Sequence, residues 1–201
     1  MVFGFAQAQP ENFKLMSASD QATAAANITK TSNALKSLQC RFVQERVSSV
    51  LAETEKSSGT MLYKAPNKLR WEYVQPKPLV FILNGTKVIF TADGKTKDVN
   101  VGASKTMKSM IDMILGMITG KELQNATNFT CTYYSSGRQI LVRLTPVTKA
   151  LKKVFSSVDI YFNSQIFFAE KIVMRESSGD STTLKFFEVK SDQIIDDKKF
   201  E

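Results

Sequence analysis

The carboxylate pairs Glu53/Glu55 and Asp196/Asp197 come closest, in this 201-residue chain, to a general acid–base couple. Such a couple needs one carboxyl in an apolar pocket, so that its pKa rises while its partner stays ionised. Both pairs lie in polar, turn-like stretches and are expected to stay solvated. Cys40 and Cys131 are the only thiols. Their separation excludes a CxxC redox couple and a local zinc knuckle. Two readings remain: a disulfide in an oxidising compartment, worth about 4 kcal/mol by loop closure, or two separately buried small apolar side chains. Histidine is absent altogether. That removes Ser-His and Cys-His nucleophile pairs, imidazole metal sites and the ordinary titrating group between pH 5 and 8. Dinucleotide, P-loop and nucleophile-elbow patterns are also missing. These residues predict a protein that is not an enzyme and uses no cofactor and no metal.

The charge is the next constraint. Lys and Arg number 27 against 19 Asp and Glu, a net +8. The cations are scattered singly, densest at Lys149/Lys152/Lys153 and Lys198/Lys199, and the aromatics lie in apolar strands rather than among them. This argues against nucleic acid and for a solubilising surface, with attraction to an anionic membrane face as a second use. No apolar run approaches the ~18 residues of a membrane span. Near the start, Ala6-Gln7-Ala8 follows the apolar run Val2 to Ala6, a small-x-small cleavage pattern without a full signal peptide. Residues 1–16 therefore read as a signal remnant or disordered N-terminus, and residues 17–201 as one domain.

The elements that would position any site are mainly strands. From Ser17 to Gln39, Ala24, Ile28, Leu35 and Leu38 recur at one apolar residue per helical turn, which predicts an amphipathic helix. After Cys40 the pattern is β: two strands around a polar Glu53-to-Ser58 turn, then Leu69, Trp71 and Tyr73 alternating with Lys68, Arg70 and Glu72. Asn84-Gly85 and Asp93-Gly94 are hairpin signals. Strands resume at FTCTYYSS and continue through QILVRLTP, KKVFSSVDIYFN, IFFAEKIVMRES and TTLKFFEVKS. The expected architecture is mainly β, an unclosed antiparallel barrel of about eleven strands that hides its edges by curling. An N-terminal helix and an internal lid helix cap it. In the internal segment, Met107, Met110, Ile111, Ile114, Met117 and Ile118 make one face, widened by Met113 and Leu115. The apolar arc spans roughly 200°, about twice what a helix resting on a core requires. Methionine is flexible and polarisable and suits surfaces that fit variable apolar ligands, and barrel mouths are common ligand sites.

Phe42-x-Gln44, then Gly59 with Lys64-x-Pro66-x-Lys68-Leu69-Arg70-Trp71-x-Tyr73-x-x-Pro76, then an apolar strand into Asn84-Gly85-x-Lys87, resembles the LolA-like periplasmic lipoprotein carriers. The closing Asp192-x-Ile-Ile-Asp-x-x-x-Phe200 fits as well. The resemblance implies an incomplete barrel whose hydrophobic cavity holds the acyl chains of a lipoprotein crossing the periplasm. Its partners would be acylated lipoproteins, an inner-membrane ATP-driven release complex and an outer-membrane acceptor, and the chain would act as a monomer. Phe42, Leu69, Trp71, Tyr73 and Phe81 would line the cavity with Met107, Met110, Ile111, Ile114, Met117 and Ile118. One departure stands out: proteobacterial carriers have Arg before the motif proline, where this chain has Ala65, with Lys64 one place earlier. In a strand that shift sends the charge to the opposite face, so the lid must be fastened differently. A lipid- or lipoprotein-sensing regulator on the same fold is the alternative, and a β-protein with a solid core is a second rival.

Overall fold

A computed structural model describes residues 10–51, 53–100, 116, 123 and 128–201. Twelve strands form one antiparallel sheet: β1 (Lys14–Leu15), β2 (Ser37–Val47), β3 (Thr54–Lys64), β4 (Lys68–Gln75), β5 (Leu79–Asn84), β6 (Lys87–Ala92), β7 (Lys95–Asn100), β8 (Phe129–Ser135), β9 (Gln139–Pro146), β10 (Phe155–Asn163), β11 (Ala169–Glu176) and β12 (Ser181–Ser191). Their order is β1-β8-β9-β10-β11-β12-β2-β3-β4-β5-β6-β7, so the sheet is not closed and β1 and β7 are its edges. Helices α1 (Ala18–Ala34) and α2 (Lys149–Val154) and a 3₁₀ turn at Asp197–Phe200 complete the described elements. The mainly β, unclosed barrel expected from the sequence is the architecture observed.

Boundaries differ in physically informative ways. Helix α1 begins at the Ser17 cap, whose hydroxyl accepts the Asp20 N–H, but stops at Ala34 rather than Gln39. Leu38 continues the helical spacing of Leu35, yet it also alternates with Cys40 and Phe42, and burial of all three on one strand face decides the outcome. The β2–β3 turn falls at Ser49–Leu51 and not at Glu53–Ser58, because Glu55 and Ser57 pair with Arg46 and Gln44 in a full-length ladder. The stretch before Phe155, which reads as strand, opens with α2, capped by the Thr148 hydroxyl accepting from Leu151 N–H. The described part of the N-terminal segment is structured: β1 pairs with β8, and Phe13 meets the ring of Tyr161 edge-on at 5.7 Å. Of residues 106–119 only Gly116 is described.

The inner face of the sheet carries the main core. Ala24 and Ile28 of α1 join Leu38, Cys40, Phe42, Met61, Tyr63, Leu69, Trp71, Val142, Leu144, Val158, Ile160 and Phe162 in one cluster. The outer face is covered locally. After β12 the chain crosses the outside of β3–β6, burying Ile195 and Phe200 against Ile82, with Leu62, Val80 and Ile89 around them.

Cys40 and Cys131 are not bridged. They stand on β2 and β8, with β9, β10, β11 and β12 between. Cys40 is a buried thiol whose pKa burial pushes up to about 12, so it is unreactive as a nucleophile.

Candidate functional site

Register builds an apolar floor from residues far apart in sequence. Phe186, Phe42, Gly59, Tyr73 and Leu79 stand side by side across five strands. The next row is Cys40, Met61, Trp71, Phe81 and Phe90. The third is Leu38, Tyr63, Leu69, Leu83 and Val88. Each row comes from alternate positions of its strands, so all point to the inner face. The five residues singled out from the sequence, Phe42, Leu69, Trp71, Tyr73 and Phe81, fall in these three rows. Met107, Met110, Ile111, Ile114, Met117 and Ile118 lie outside the described residues.

Aromatic packing holds the floor together. The ring of Phe42 lies 4.4 Å from that of Trp71 and meets Tyr73 edge-on at 5.2 Å. Phe186 meets Trp71 edge-on at 6.5 Å. Phe186 carries no motif signal in the sequence; its strand, LKFF, shows only an apolar run, and pairing with β2 places it opposite Phe42. The Tyr73 hydroxyl donates to Gln44 Oε1 at 2.9 Å. Burial pushes the Tyr73 phenol above its ordinary range, with Trp71 and Gln44 partly opposing. The buried Trp71 Nε1–H makes no hydrogen bond of acceptable geometry among the described residues.

Burial is graded along the middle row. Met61 and Trp71 are 1% and 9% exposed, whereas Phe81 is half-buried and Phe90 is 40% exposed. Phe81 and Phe90 stack edge-to-face at 5.1 Å, and Lys97 on β7 stands next to Phe90 in register. The floor thus runs from a packed interior at β2 to an accessible aromatic ledge at β5–β6 with a cation at its edge. Such a surface can take an extended apolar chain with an anionic or polar end. A separate pocket of about 370 Å³ lies between the end of α1 and the β10–β11 turn, with Leu35, Phe167 and Phe168 as its apolar wall and Lys30 and Asp192 at its rim. Among the described residues no group of three His, Cys, Asp or Glu gathers to hold a metal ion.

Lys64 resolves the displaced charge. Tyr63 takes the inner position and Lys64 the outer one, where its ammonium donates to Ile195 O at 2.9 Å and Asp197 Oδ1 at 2.7 Å. Lys68 donates to the same carboxylate oxygen at 3.0 Å. The two lysines hold the Asp197 carboxyl below the usual carboxylate range. Arg70 reaches Lys199 O and Asn84 reaches Phe200 O. Lys64, one place before Ala65, therefore fastens the C-terminal segment to the outer face.

Residues 33–201 match the family described as outer membrane lipoprotein carrier protein LolA. An outer-membrane lipoprotein carrier protein of Pseudomonas paraeruginosa is 24% identical over 181 residues, 90% of this chain and 84% of that protein. One from Pseudoalteromonas translucida is 22% identical over 167 residues, 83% of this chain and 76% of that protein. The fold is similar to that of the Mycobacterium tuberculosis lipoprotein LppX, with a TM-score of 0.54 at 9% identity, covering 90% of this chain and 99% of that one. With the unclosed sheet and its inner aromatic floor in place, the match over most of the chain shows that this protein belongs to the LolA outer membrane lipoprotein carrier family.

Proposed function

We propose that the chain is a periplasmic carrier that shelters the acyl chains of lipoproteins and moves them from the inner to the outer membrane. It would take its cargo from an ATP-driven release complex and yield it to an outer-membrane acceptor, without catalysing a reaction. The observation that carries this reading is the graded row from Met61 and Trp71 through Phe81 to Phe90, apolar throughout and accessible at one end. Family membership supports the same reading.

Energetics favour a site that is only partly enclosed. A buried methylene contributes about 0.8 kcal/mol, so several fully sheltered acyl chains would be held too tightly to release. A ledge that leaves part of each chain in contact with solvent or a movable cover lowers that affinity.

A fluorescent fatty-acid displacement titration tests the proposal. Saturable binding is expected, and Phe81→Asp and Phe90→Asp should each weaken it at least tenfold while leaving the circular dichroism spectrum unchanged. Absence of saturable binding by the unaltered chain overturns the carrier reading. If binding is present, transfer of a radiolabelled lipoprotein from inner-membrane vesicles separates a carrier from a protein that only senses lipid.

A further inference from the structure

The exposed large apolar side chains are unevenly distributed. Val47, Val50, Leu51, Val74, Val147 and Val154 all stand on the same rim of the sheet, the one formed by the β2–β3 turn, the end of β4 and the α2 connection. Of these six, Val50 and Leu51 are the most exposed, 86% and 67%, at the tip of the β2–β3 turn. Hydrogen bonds tie that turn into the rim. The Ser49 hydroxyl reaches Ser178 O and Asp180 Oδ1 in the β11–β12 turn, and the Ser177 hydroxyl of the same turn donates to Lys152 O at 2.8 Å. Three connections thus form one fixed end face.

The charges on this face are also sorted. Lys149, Lys152 and Lys153 are exposed on α2 and make no ion pair among the described residues, and no acidic residue occurs between Arg143 and Asp159. Elsewhere on the rim Arg46 is paired with Asp180, and Lys56 with Glu45. Among the described residues, Glu53, Glu55, Asp93 and Glu176 are the remaining acids near the turns, and Lys77 and Lys95 the remaining cations. The net excess is therefore small over the rim as a whole and concentrated on α2.

Apolar tips on separate turns stand beside these lysines. They match the interfacial zone of a bilayer, where apolar side chains enter the headgroup–acyl boundary and lysines meet lipid phosphates. We propose that this rim docks the protein on an anionic membrane surface, with Val50 and Leu51 inserted and Lys149, Lys152 and Lys153 on the phosphates. Docking is a property of the outer rim and stands apart from whether the inner floor carries acyl chains.

Co-sedimentation of the cargo-free full chain with sucrose-loaded vesicles tests it, using phosphatidylcholine alone and phosphatidylcholine with 30% phosphatidylglycerol. Binding is expected to be at least tenfold stronger to the anionic vesicles. Val50→Asp/Leu51→Asp should reduce it about tenfold or more. Lys149→Gln/Lys152→Gln/Lys153→Gln should abolish the preference for phosphatidylglycerol, as should 0.5 M NaCl. Unchanged thermal unfolding midpoints establish that these exposed changes leave the fold intact. No binding to anionic vesicles overturns the proposal, as does binding that the tip variant leaves unchanged, since diffuse attraction of a basic protein would explain it. Sedimentation velocity showing that Val50→Asp/Leu51→Asp dissolves a dimer, without vesicle binding by the parent chain, would assign the rim to a second copy instead.

Discussion

The ring of Phe42 passes directly over Gly59, its Cζ standing 2.8 Å from where a β-carbon at that glycine would lie. Glu72 O approaches the same position even more closely. The glycine is what lets the Phe42 ring cross β3 and reach Trp71 and Tyr73 on β4. Gly59→Ala should therefore push Phe42 out of the aromatic floor and strain the β3–β4 ladder, costing about 1–3 kcal/mol. Urea unfolding measures the loss, and a near-ultraviolet circular dichroism change in the Trp71 band reports the displaced ring. Fatty-acid binding should weaken in parallel.

A second prediction concerns the outer face of β9–β11. Asp159 is fully buried and accepts from Arg143 Nε at 2.8 Å, Arg143 Nη2 at 2.9 Å and Arg175 Nη1 at 2.8 Å. The carboxylate raises the Arg143 pKa, chiefly through these hydrogen bonds. Asp159→Ala removes the anion that two guanidinium groups converge on, and breaking a buried pair in this way costs about 3–5 kcal/mol. In a chain of this length that lowers the melting temperature by roughly 10 °C. Arg175→Met should cost much less, because that side chain is 41% exposed. Differential scanning calorimetry distinguishes the two. Replacing all three by apolar residues of similar volume should recover most of the loss.

The C-terminal fastening predicts a pH dependence. Asp197 sits between Lys64 and Lys68, and its folded pKa lies below 3.8, its value in the unfolded chain. The unfolded state therefore binds the proton first on acidification. The stabilisation is present above about pH 4 and is lost as pH falls through the folded value. Asp197→Asn should lower the urea midpoint at pH 7, and the effect should shrink at a second, acidic pH below the folded value. A constant offset at both pH values would show that the carboxylate charge is not what fastens the segment.

Much of this arrangement is legible in the sequence where period and turn chemistry agree. Leu69, Trp71 and Tyr73 alternate cleanly and do share the inner face. Asp93-Gly94 is a hairpin turn with both residues at positive φ, 50° and 70°, as its two-residue connection requires. Where two periods compete, sequence spacing alone does not decide. Leu38 suits a helix with Leu35 and a strand with Cys40, and tertiary burial selects the strand. The six-residue α2 is too short to develop a helical stripe, and two-residue β1 has no pattern at all. Val50 and Leu51 extend an apolar run and so look like strand, whereas the register of β2 with β3 puts them at a turn tip. Other relationships depend wholly on register. Arg143, Asp159 and Arg175 meet because three neighbouring strands align them, and Phe186 joins Trp71 for the same reason. The Ala65 departure signals that Lys64 faces outward, but its acceptor, Asp197, follows only from the path of the chain after β12.

The unpaired edges have a mechanical consequence. In a closed barrel every strand is hydrogen-bonded on both sides, so strand number and shear fix the bore. Here β1 and β7 end the ladder, and the sheet can tighten or relax its curl by small changes of twist at each strand pair without giving up a ladder hydrogen bond. Its edges are guarded against adding a foreign strand by the brevity of β1 and by Lys95 and Lys97 on β7. Strand number and shear therefore do not fix its bore. A sheet built this way can widen or narrow with one unbroken hydrogen-bonded ladder, as an open clasp ring does.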